Sequence, residues 1–353
     1  MRPSSSAPET PVLAVVGGFL GAGKTTLLLA AGRILARRGW RTAIITNDQG
    51  DDLVDSQWVA ANGVPRAEVG GGCFCCRFSE LSHSLGSLLA QRPHVVFAEP
   101  VGSCTDLAAT VLRPMEESCG TSLRVAPLTV VIDPARRAEV ARGAAGPDVR
   151  FLFRKQEEEA DLLLLSKSDR RGWTPMEGAR RVSARTEEGV LAWLNDVLEG
   201  DAPAATRELE IDYARYAAAE AALGWVNWRG RLDLPSALLP AQVVGPMLDD
   251  LDQRLHLLGA AVAHLKCAVA SGGVALKASL TAHGEEPDLE GDLQGPAARR
   301  MDVLVNLRAL GPPEELLRAV RGAMDRLPGR VTILREQAFQ PAPPRPERRI
   351  APQ

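Results

Sequence analysis

The residues best suited to chemistry near the start of the chain form the segment GFLGAGKT, positions 18 to 25. An apolar run precedes it and a helical pattern follows it, which is the context that a phosphate-binding loop requires. Its glycines let backbone N–H groups point at phosphate oxygens, Lys24 can reach the β- and γ-phosphates, and the Thr25 hydroxyl can bind Mg²⁺. The predicted nucleotide-binding residues of this loop are Gly18, Gly21, Ala22, Gly23, Lys24, Thr25 and Thr26.

Two acidic residues follow apolar runs at the ends of predicted strands. The run HVVFAEPVG contains Glu99, with Gly102 three positions later. An acid at the carboxyl end of a parallel strand can hold the Mg²⁺ shell or position water, and a glycine there can bring an amide to the γ-phosphate. Asp48 follows the strand RTAIIT and is predicted to complete that shell, while a plain polar turn is the alternative for its segment. The predicted catalytic residues are Lys24, Asp48 and Glu99, and the predicted Mg²⁺ ligands are Thr25, Asp48 and Glu99.

The segment LLLLSKSD places Ser166, Lys167 and Asp169 after another apolar run. It is similar to an Asn-Lys-x-Asp guanine-binding motif with serine in the first position. The Asp169 carboxylate can accept hydrogen bonds from guanine N1–H and its exocyclic amine, which adenine does not offer, while the Lys167 stem covers the base. We expect Ser183 and Ala184 to close the base pocket with a backbone amide. An ordinary aspartate at the start of a helix is the alternative for Asp169.

The segment GGGCFCC supplies the thiols of Cys73, Cys75 and Cys76 from one glycine-rich loop. Thiolates clustered this closely suit Zn²⁺ or another thiophilic metal, and they leave a fourth position open, for which Glu68 and His83 are candidates. An open position suits transfer, because an incoming ligand can bind before the outgoing one leaves. Two alternatives are redox chemistry in the Cys-x-x-Cys pair and small thiols packed beneath the loop.

The composition limits the class of protein that carries these sites. The chain has 353 residues, of which 45% are hydrophobic and 24% charged, with a formal charge of −3. These values predict a globular protein without the basic surface of a nucleic-acid binder. No membrane span or signal-peptide pattern is present, which predicts a cytoplasmic protein without membrane contact. Thiols are favoured over disulfides in that compartment, and the isolated Cys104, Cys119 and Cys267 are interpreted as core residues.

Strands alternate with helical patterns in the first half, which predicts a doubly wound, mostly parallel α/β sheet of the P-loop NTPase type. The length exceeds what one hydrophobic core usually serves, and from about Glu208 the pattern predicts a second, smaller α+β domain with an antiparallel sheet. Both ends are rich in Pro with Ser or Arg and are predicted to be disordered. The predicted parts are a disordered extension over 1–11, a P-loop domain over 12–205, a helical connector over 206–262, a small α+β domain over 263–336 and a disordered tail over 337–353.

Together these segments resemble the CobW-like family of metallochaperone phosphate-loop GTPases, which is related to UreG and HypB. The resemblance is strong over about residues 11 to 200 and rests on the segments GGFLGAGKTTLL, NDQGDDLVD, GGGCFCC, FAEPVG and ADLLLLSKSD. It implies GTP hydrolysis coupled to metal delivery, with GTP, Mg²⁺ and Zn²⁺ or another thiophilic divalent metal as bound species. Three departures stand out: Asp48 replaces the family glutamate, Ser166 replaces asparagine, and the second half has no histidine-rich tract.

The sequence therefore predicts a GTPase that binds a metal on its cysteine loop and transfers it to a client protein under nucleotide control. Slow intrinsic turnover is expected, since no arginine can be assigned as a finger, and a homodimer is compatible with the sequence. One alternative is a GTPase chaperone that gates loading of a cobalamin or corrinoid cofactor into a client enzyme. Another is a P-loop small-molecule kinase, in which Asp169 would have no base to discriminate. A metal buffer that does not hydrolyse nucleotide is disfavoured, because a complete phosphate loop would be idle.

Overall fold

The structure is a computed structural model that describes residues 7–47, 54, 63–143, 145–170, 172–199, 204–271 and 274–351. The predicted magnesium ligand Asp48 lies outside these residues. The chain divides into two compact units. The first consists of Met1–Gln49, Trp58–Ala217 and Pro343–Gln353, and the second of Gly50–Gln57 and Ala218–Ala342.

The first unit is built on a parallel sheet with the strand order β3-β2-β4-β1-β6-β7-β8, and β5 pairs with β1. Its central strand β1 has the apolar sequence VLAVVG and is buried along its whole length, because a central parallel strand is covered on both faces. The strands are β1 (Val12–Gly17), β2 (Thr42–Asn47), β3 (Arg66–Val69), β4 (Val95–Glu99), β5 (Arg124–Val125), β6 (Thr129–Ile132), β7 (Leu162–Leu165) and β8 (Ala179–Arg181).

Helices alternate with these strands, as the sequence predicts. In the core of the unit, the Trp193 ring stacks on Phe97 with ring centroids 6.2 Å apart, and its indole N–H donates to Thr129 Oγ1 at 3.0 Å. The described helices that begin in this unit are α1 (Lys24–Arg37), α2 (Phe78–Leu89), a π-helical turn (Ala108–Leu112), α3 (Arg113–Cys119), α4 (Pro134–Ala141), α5 (Gly146–Glu159), α6 (Val190–Glu199) and α7 (Tyr213–Ala221).

The second unit is a six-stranded antiparallel sheet with the order β12-β11-β10-β13-β9-β14. Its apolar core contains residues of the sheet and of two helices, α8 (Pro240–Leu257) and α9 (Pro313–Met324). The predicted fold class, a parallel α/β sheet followed by a smaller α+β domain, is therefore confirmed. The strands are β9 (Leu223–Leu238), β10 (Val262–Ser271), β11 (Val274–Leu280), β12 (Asp288–Gly291), β13 (Ala298–Leu310) and β14 (Arg330–Phe339).

Two predicted boundaries differ from the structure. The predicted helical connector over 206–262 contains the 16-residue strand β9, which pairs with both β13 and β14. Buried and more exposed residues alternate along the segment RGRLDL within it, which is the period of a strand, although an alanine-rich helix directly precedes it. The predicted disordered tail over 337–353 contains the end of β14 and an ordered stretch, residues 343–351, which we call the tail segment.

The tail segment belongs to the first unit and is ordered by specific polar contacts rather than by apolar burial. The Arg349 guanidinium donates to the buried Asp106 carboxylate at 2.8 Å, and Ile350 N–H donates to Ala109 O at 2.9 Å. Low hydrophobicity predicts disorder only where such partners are missing. No helix in the described ranges is long and apolar enough to cross a membrane.

Candidate nucleotide and metal sites

The predicted phosphate loop lies between β1 and α1, in a backbone conformation that favours glycine. Gly18 has φ 130°, and a Cβ there would lie 2.2 Å from Val131 O. Gly23 has φ 92° and directly precedes α1, whose first turn contains no acidic residue. Because α1 begins directly after Gly23, its N-terminal N–H groups and the positive end of its dipole face the loop, as an anion site requires.

Three buried polar side chains meet at this edge of the sheet. Lys24 Nζ donates to Gly18 O at 2.8 Å, and Thr25 Oγ1 donates to Glu99 Oε1 at 3.0 Å. Glu99 ends β4, the parallel neighbour of β1, so the fold itself places it beside the loop. A carboxylate next to a threonine hydroxyl is a hard oxygen donor set that fits Mg²⁺. The structure thus brings Lys24, Thr25 and Glu99 together.

The turn after β4 lies against the phosphate loop at Gly102. A Cβ on Gly102 would lie 2.8 Å from Leu20 Cδ2 and 3.0 Å from Leu20 N. The Gln156 amide on α5 donates to Gly102 O at 3.0 Å and to Cys104 O at 2.8 Å. This turn is therefore held between the phosphate loop and α5, and it connects Glu99 with Cys104.

The predicted base-reading residues gather at the ends of β7 and β8. The Ser183 hydroxyl donates to Asp169 Oδ1 at 2.7 Å and so orients the carboxylate. The Lys167 ammonium pairs with the buried Asp133 carboxylate at 2.7 Å. The Ser166 hydroxyl donates to a main-chain carbonyl of β6 at 3.0 Å. The short serine side chain is thus used to join two neighbouring strands.

Ser183 and Ala184, the two residues expected to close the base pocket, lie shortly after β8, and their role there stays a prediction. The N–H group of Ser183 donates to Glu188 O at 2.9 Å, so this amide is engaged within the protein. The Ser183 hydroxyl is the group that contacts Asp169. Ala184 packs its side chain against the core of the first unit.

Two residues near the base-reading motif, Asp133 and Trp173, are not among the predicted site residues. Asp133 ends the apolar run TVVID, a signal of the same kind as the one that identifies Glu99. Trp173 has no such signal, yet its indole N–H donates to Ser166 O at 3.1 Å. The Arg181 guanidinium lies 4.9 Å from the centroid of the Trp173 ring, a cation–π contact that fixes the ring beside the motif.

The three thiols of the Cys loop, residues 70–77, form one cluster. The Sγ atom of Cys73 lies 3.0 Å from that of Cys75 and 2.9 Å from that of Cys76, and the last two are 3.7 Å apart. Tetrahedral Zn²⁺ with Zn–S bonds of about 2.3 Å requires sulfur separations of about 3.8 Å, so only small movements are needed. Within the described residues, these three thiols are the group of at least three possible ligands whose atoms all lie within 4.8 Å of one another. The candidates Glu68 and His83 are not among them, and neither is Cys104.

Hydrogen bonds determine how these thiols ionise. The pKa of Cys73 lies well below its ordinary value, because the thiols of Cys104, Cys75 and Cys76 hydrogen-bond to its sulfur. The pKa of Cys75 is raised and that of Cys76 is raised to about 11, mainly because each would lose its bond to Cys73 on ionisation. Cys73 is therefore the thiol of the cluster that ionises most readily, and a metal ion that binds there must displace the protons of the thiols that ligate it.

Asn47, the last residue of β2, holds the Cys loop from within. Its side-chain amide donates to Val69 O at 2.8 Å and to Gly72 O at 2.7 Å, and its carbonyl oxygen accepts from Phe74 N–H at 2.9 Å. Asn47 is buried, and its bonds to Val69 and Phe74 are shielded from water, while the bond to Gly72 is partly buried. No local pattern predicts this role of Asn47, because its partners are remote in sequence.

The tail segment lies along the outer side of the Cys loop. The N–H group of Arg345 donates to Cys76 Sγ at 3.1 Å, and that of Glu347 donates to Cys75 O at 2.9 Å. The Glu347 carboxylate accepts from the N–H group and the hydroxyl of Ser79, at 2.9 and 2.6 Å, in the first turn of α2. The tail segment is therefore part of the surroundings of the thiols.

The fold and the loop geometry define a P-loop nucleotide-binding protein that carries a thiol cluster on the same sheet. The nucleotide-binding domain of the CobW/HypB/UreG family matches residues 12–187, and the chain belongs to this family.

The chain is 28% identical over 194 residues to the zinc chaperone YeiR of Escherichia coli, an alignment that covers 50% of this chain and 55% of YeiR. It is 36% identical over 94 residues to the zinc chaperone YjiA of the same organism, over 26% of this chain and 29% of YjiA. It thus matches about half or less of the length of these curated relatives. A solved structure of HypB from Helicobacter pylori in complex with nickel is similar at 17% identity and a TM-score of 0.36, over 54% of this chain and 86% of HypB.

Proposed function

We propose that this protein is a GTP-hydrolysing metallochaperone. It binds a thiophilic divalent metal, Zn²⁺ in the first place, on the Cys loop and transfers it to a client protein under nucleotide control. The observation that carries this proposal is the cluster of three thiols within 3.7 Å of one another, on the sheet that also holds the phosphate loop. Membership of the CobW/HypB/UreG family supports GTP as the nucleotide. The zinc-chaperone relatives support zinc as the cargo.

The nucleotide roles follow from the donor groups at the phosphate loop. Lys24 binds the β- and γ-phosphates, and Thr25 and Glu99, with Asp48, hold Mg²⁺ and position the attacking water. Bound Mg²⁺ neutralises the charge that develops on the transferred phosphate. Asp169, oriented by Ser183, accepts hydrogen bonds from guanine.

Two connections join the nucleotide site to the thiols. The turn after β4 runs from Glu99 past Gly102, which touches the phosphate loop, to Cys104, whose thiol bonds to Cys73. The second connection is Asn47, which holds the Cys loop and directly precedes Asp48 in the chain. A change at the γ-phosphate therefore reaches the thiols through few bonds. Couplings of this kind amount to about 1–3 kcal/mol, or roughly 5- to 150-fold in affinity, and they are reciprocal.

The test is a zinc titration against a chromophoric chelator with GDP or a non-hydrolysable GTP analogue bound. We expect zinc affinities that differ at least about fivefold between the two states, and zinc should change the affinity for the analogue by the same factor. The triple variant Cys73→Ser, Cys75→Ser, Cys76→Ser should lose zinc and the coupling but keep basal GTP binding, because hydroxyls are poor ligands for a thiophilic ion. Equal affinities in both states would refute nucleotide control, and unchanged zinc binding by the triple variant would refute the metal site.

A further inference from the structure

We propose that Cys104 supplies a fourth sulfur ligand to the metal site and is the ligand that the nucleotide state moves. This inference rests on the proposed function, because it concerns the metal that the Cys loop carries. Cys104 is buried, and its thiol hydrogen-bonds to the Cys73 sulfur. It comes from the turn after β4 and not from the Cys loop itself, which explains why sequence spacing does not associate it with the other three thiols.

The donor set favours Cys104 over the acidic and histidine candidates for the fourth position. The Glu68 side chain is 36% exposed and pairs with Arg66, and His83 is exposed on α2. Zinc sites with four cysteine sulfurs are tetrahedral and closed, with every Zn–S bond near 2.3 Å. The Cys104 thiol bonds to Cys73 but does not lie within 4.8 Å of all three loop thiols, so it must move toward the metal to complete such a site.

The position of Cys104 also gives it a different motion from the loop thiols. Cys73, Cys75 and Cys76 are on one loop and move together, whereas the Cys104 carbonyl is held by Gln156, which also holds Gly102 against the phosphate loop. A shift of this turn by about 1 Å is large compared with the tolerance of a Zn–S bond. Nucleotide exchange can therefore open the fourth position while the other three ligands stay bound.

The experiment compares the wild-type full chain with Cys104→Ser after loading with Co²⁺, whose thiolate-to-metal absorption reports the number of Co–S bonds. We expect this absorption to fall by about a quarter in the variant, because one of four sulfur ligands is lost. The sulfur count from X-ray absorption of the zinc form should fall from four to three. Cys119→Ser is the matched control, since Cys119 is half-buried on α3 beside Met115, and it should match wild type.

Cys104→Ser also tests whether Cys104 is the ligand that responds to the nucleotide state. Cys104→Ser should keep zinc on three thiols and lose the fivefold or larger difference in zinc affinity between the two nucleotide states. Identical Co²⁺ absorption and sulfur count in wild type and Cys104→Ser would overturn the inference about Cys104 and leave the proposed function intact. No thiolate absorption in wild type would overturn both proposals.

A second inference rests on separate contacts: we infer that the tail segment shields the Cys76 thiol. Cys73 and Cys75 are buried, so Cys76, which is half-buried, is the thiol of the cluster nearest to solvent. Arg345 N–H donates to its sulfur, and this residue stands between two prolines, which favour an extended backbone. The bonds from Ser79 to Glu347 anchor the tail segment two residues further on.

Alkylation of Cys76 by a maleimide in the metal-free full chain, followed by peptide mass spectrometry, tests this shield. Glu347→Ala removes the acceptor for Ser79 and should raise the alkylation rate about fivefold to tenfold, because the tail segment then opens more often. Arg345→Ala keeps the backbone donor and should stay within about twofold of wild type. A wild-type rate in Glu347→Ala would overturn the inference.

Discussion

The phosphate loop and the Cys loop have the same local layout, because each connects a strand of the parallel sheet to the start of a helix through glycines. The phosphate loop is held by the bond from Lys24 to Gly18 and by contacts with Glu99 and with the turn at Gly102. The Cys loop is held by Asn47 and by the tail segment, which are remote in sequence. A helix N-terminus attracts negative charge, so the layout that favours phosphate in one loop favours a thiolate in the other. The comparison shows that the side chains of each loop select its ligand. Because the two loops are held by different residues, we expect that each ligand site can be disrupted separately.

The largest effect is expected for Lys24→Ala, which should abolish tight nucleotide binding while leaving zinc binding intact. The variant loses the ammonium that binds the β- and γ-phosphates, so GTP affinity should fall about a hundredfold or more and turnover should become undetectable. Zinc affinity of the nucleotide-free protein should stay unchanged, since the thiols do not depend on Lys24. Fluorescent-GTP titration and phosphate release measure the first effect. Lys155→Ala is the control, because Lys155 pairs with Glu158 on α5, and an unchanged hydrolysis rate in Lys24→Ala would contradict the nucleotide site.

The opposite result is expected for Asn47→Ala, which should weaken zinc binding while leaving GTP binding nearly unchanged. Removing three hydrogen bonds, two of them buried, leaves main-chain groups at the Cys loop without these partners, so zinc affinity should fall about tenfold and the free energy of unfolding by about 2 kcal/mol. GTP affinity should change less than about threefold, because the bonds from Lys24 to Gly18 and from Thr25 to Glu99 do not involve Asn47. Chelator competition and urea unfolding are the measurements, with the exposed Asn195→Ala as control. Equal losses at both sites would show that the two loops are not held independently.

A smaller change is expected for Asp169→Asn, which alters base choice only. The variant exchanges an acceptor for a group that both donates and accepts, so GTP affinity should fall at least about tenfold while affinity for xanthosine triphosphate rises. Competition titrations with GTP, ATP and xanthosine triphosphate measure this. Ser183→Ala keeps the carboxylate but removes the hydroxyl that orients it, and should show a smaller loss. If wild type binds ATP as tightly as GTP, Asp169 does not read the base.

The smallest effect on ligand binding is expected at Glu159, which supports the turn between the two sites. Its carboxyl group accepts from Thr105 Oγ1 at 3.1 Å and Leu107 N–H at 2.7 Å, and burial raises its pKa to about 8 from an ordinary value of 4.5. Between these two values the unfolded chain has lost the proton that the folded chain keeps. The free energy of unfolding should therefore fall as pH rises through this window, by up to about 1.4 kcal/mol per pH unit.

Urea unfolding of wild type and Glu159→Gln at pH 5.5, 7 and 8.5 isolates this group, because other titrations cancel in the difference. The amide should remove most of the pH dependence and leave GTP affinity close to wild type. Glu158→Gln, at an exposed position, should follow the wild-type curve. Parallel curves for wild type and Glu159→Gln would contradict a proton held by Glu159.

The sequence predicts well those features whose residues are close together along the chain. The parallel sheet and the strand-loop-helix context of the phosphate loop follow from local spacing, and both are present in the structure. The contact of Cys104 with the cluster and the clamp by Asn47 depend on tertiary contacts between separate elements, which no local pattern encodes. The strand β9 is missed because a true helix directly precedes it, and the tail segment because ion pairs rather than apolar residues order it.

The tail segment has a consequence for how the protein is made. The Arg345 N–H group that bonds to the Cys76 sulfur is 269 residues further along the chain. At about 5–20 residues per second, a ribosome needs roughly 13 to 54 s to cover that distance. During this interval the nascent chain already contains the Cys loop but not the tail segment that covers it. Metal ions and small thiols in the cell therefore have access to Cys76 before the complete chain shields it.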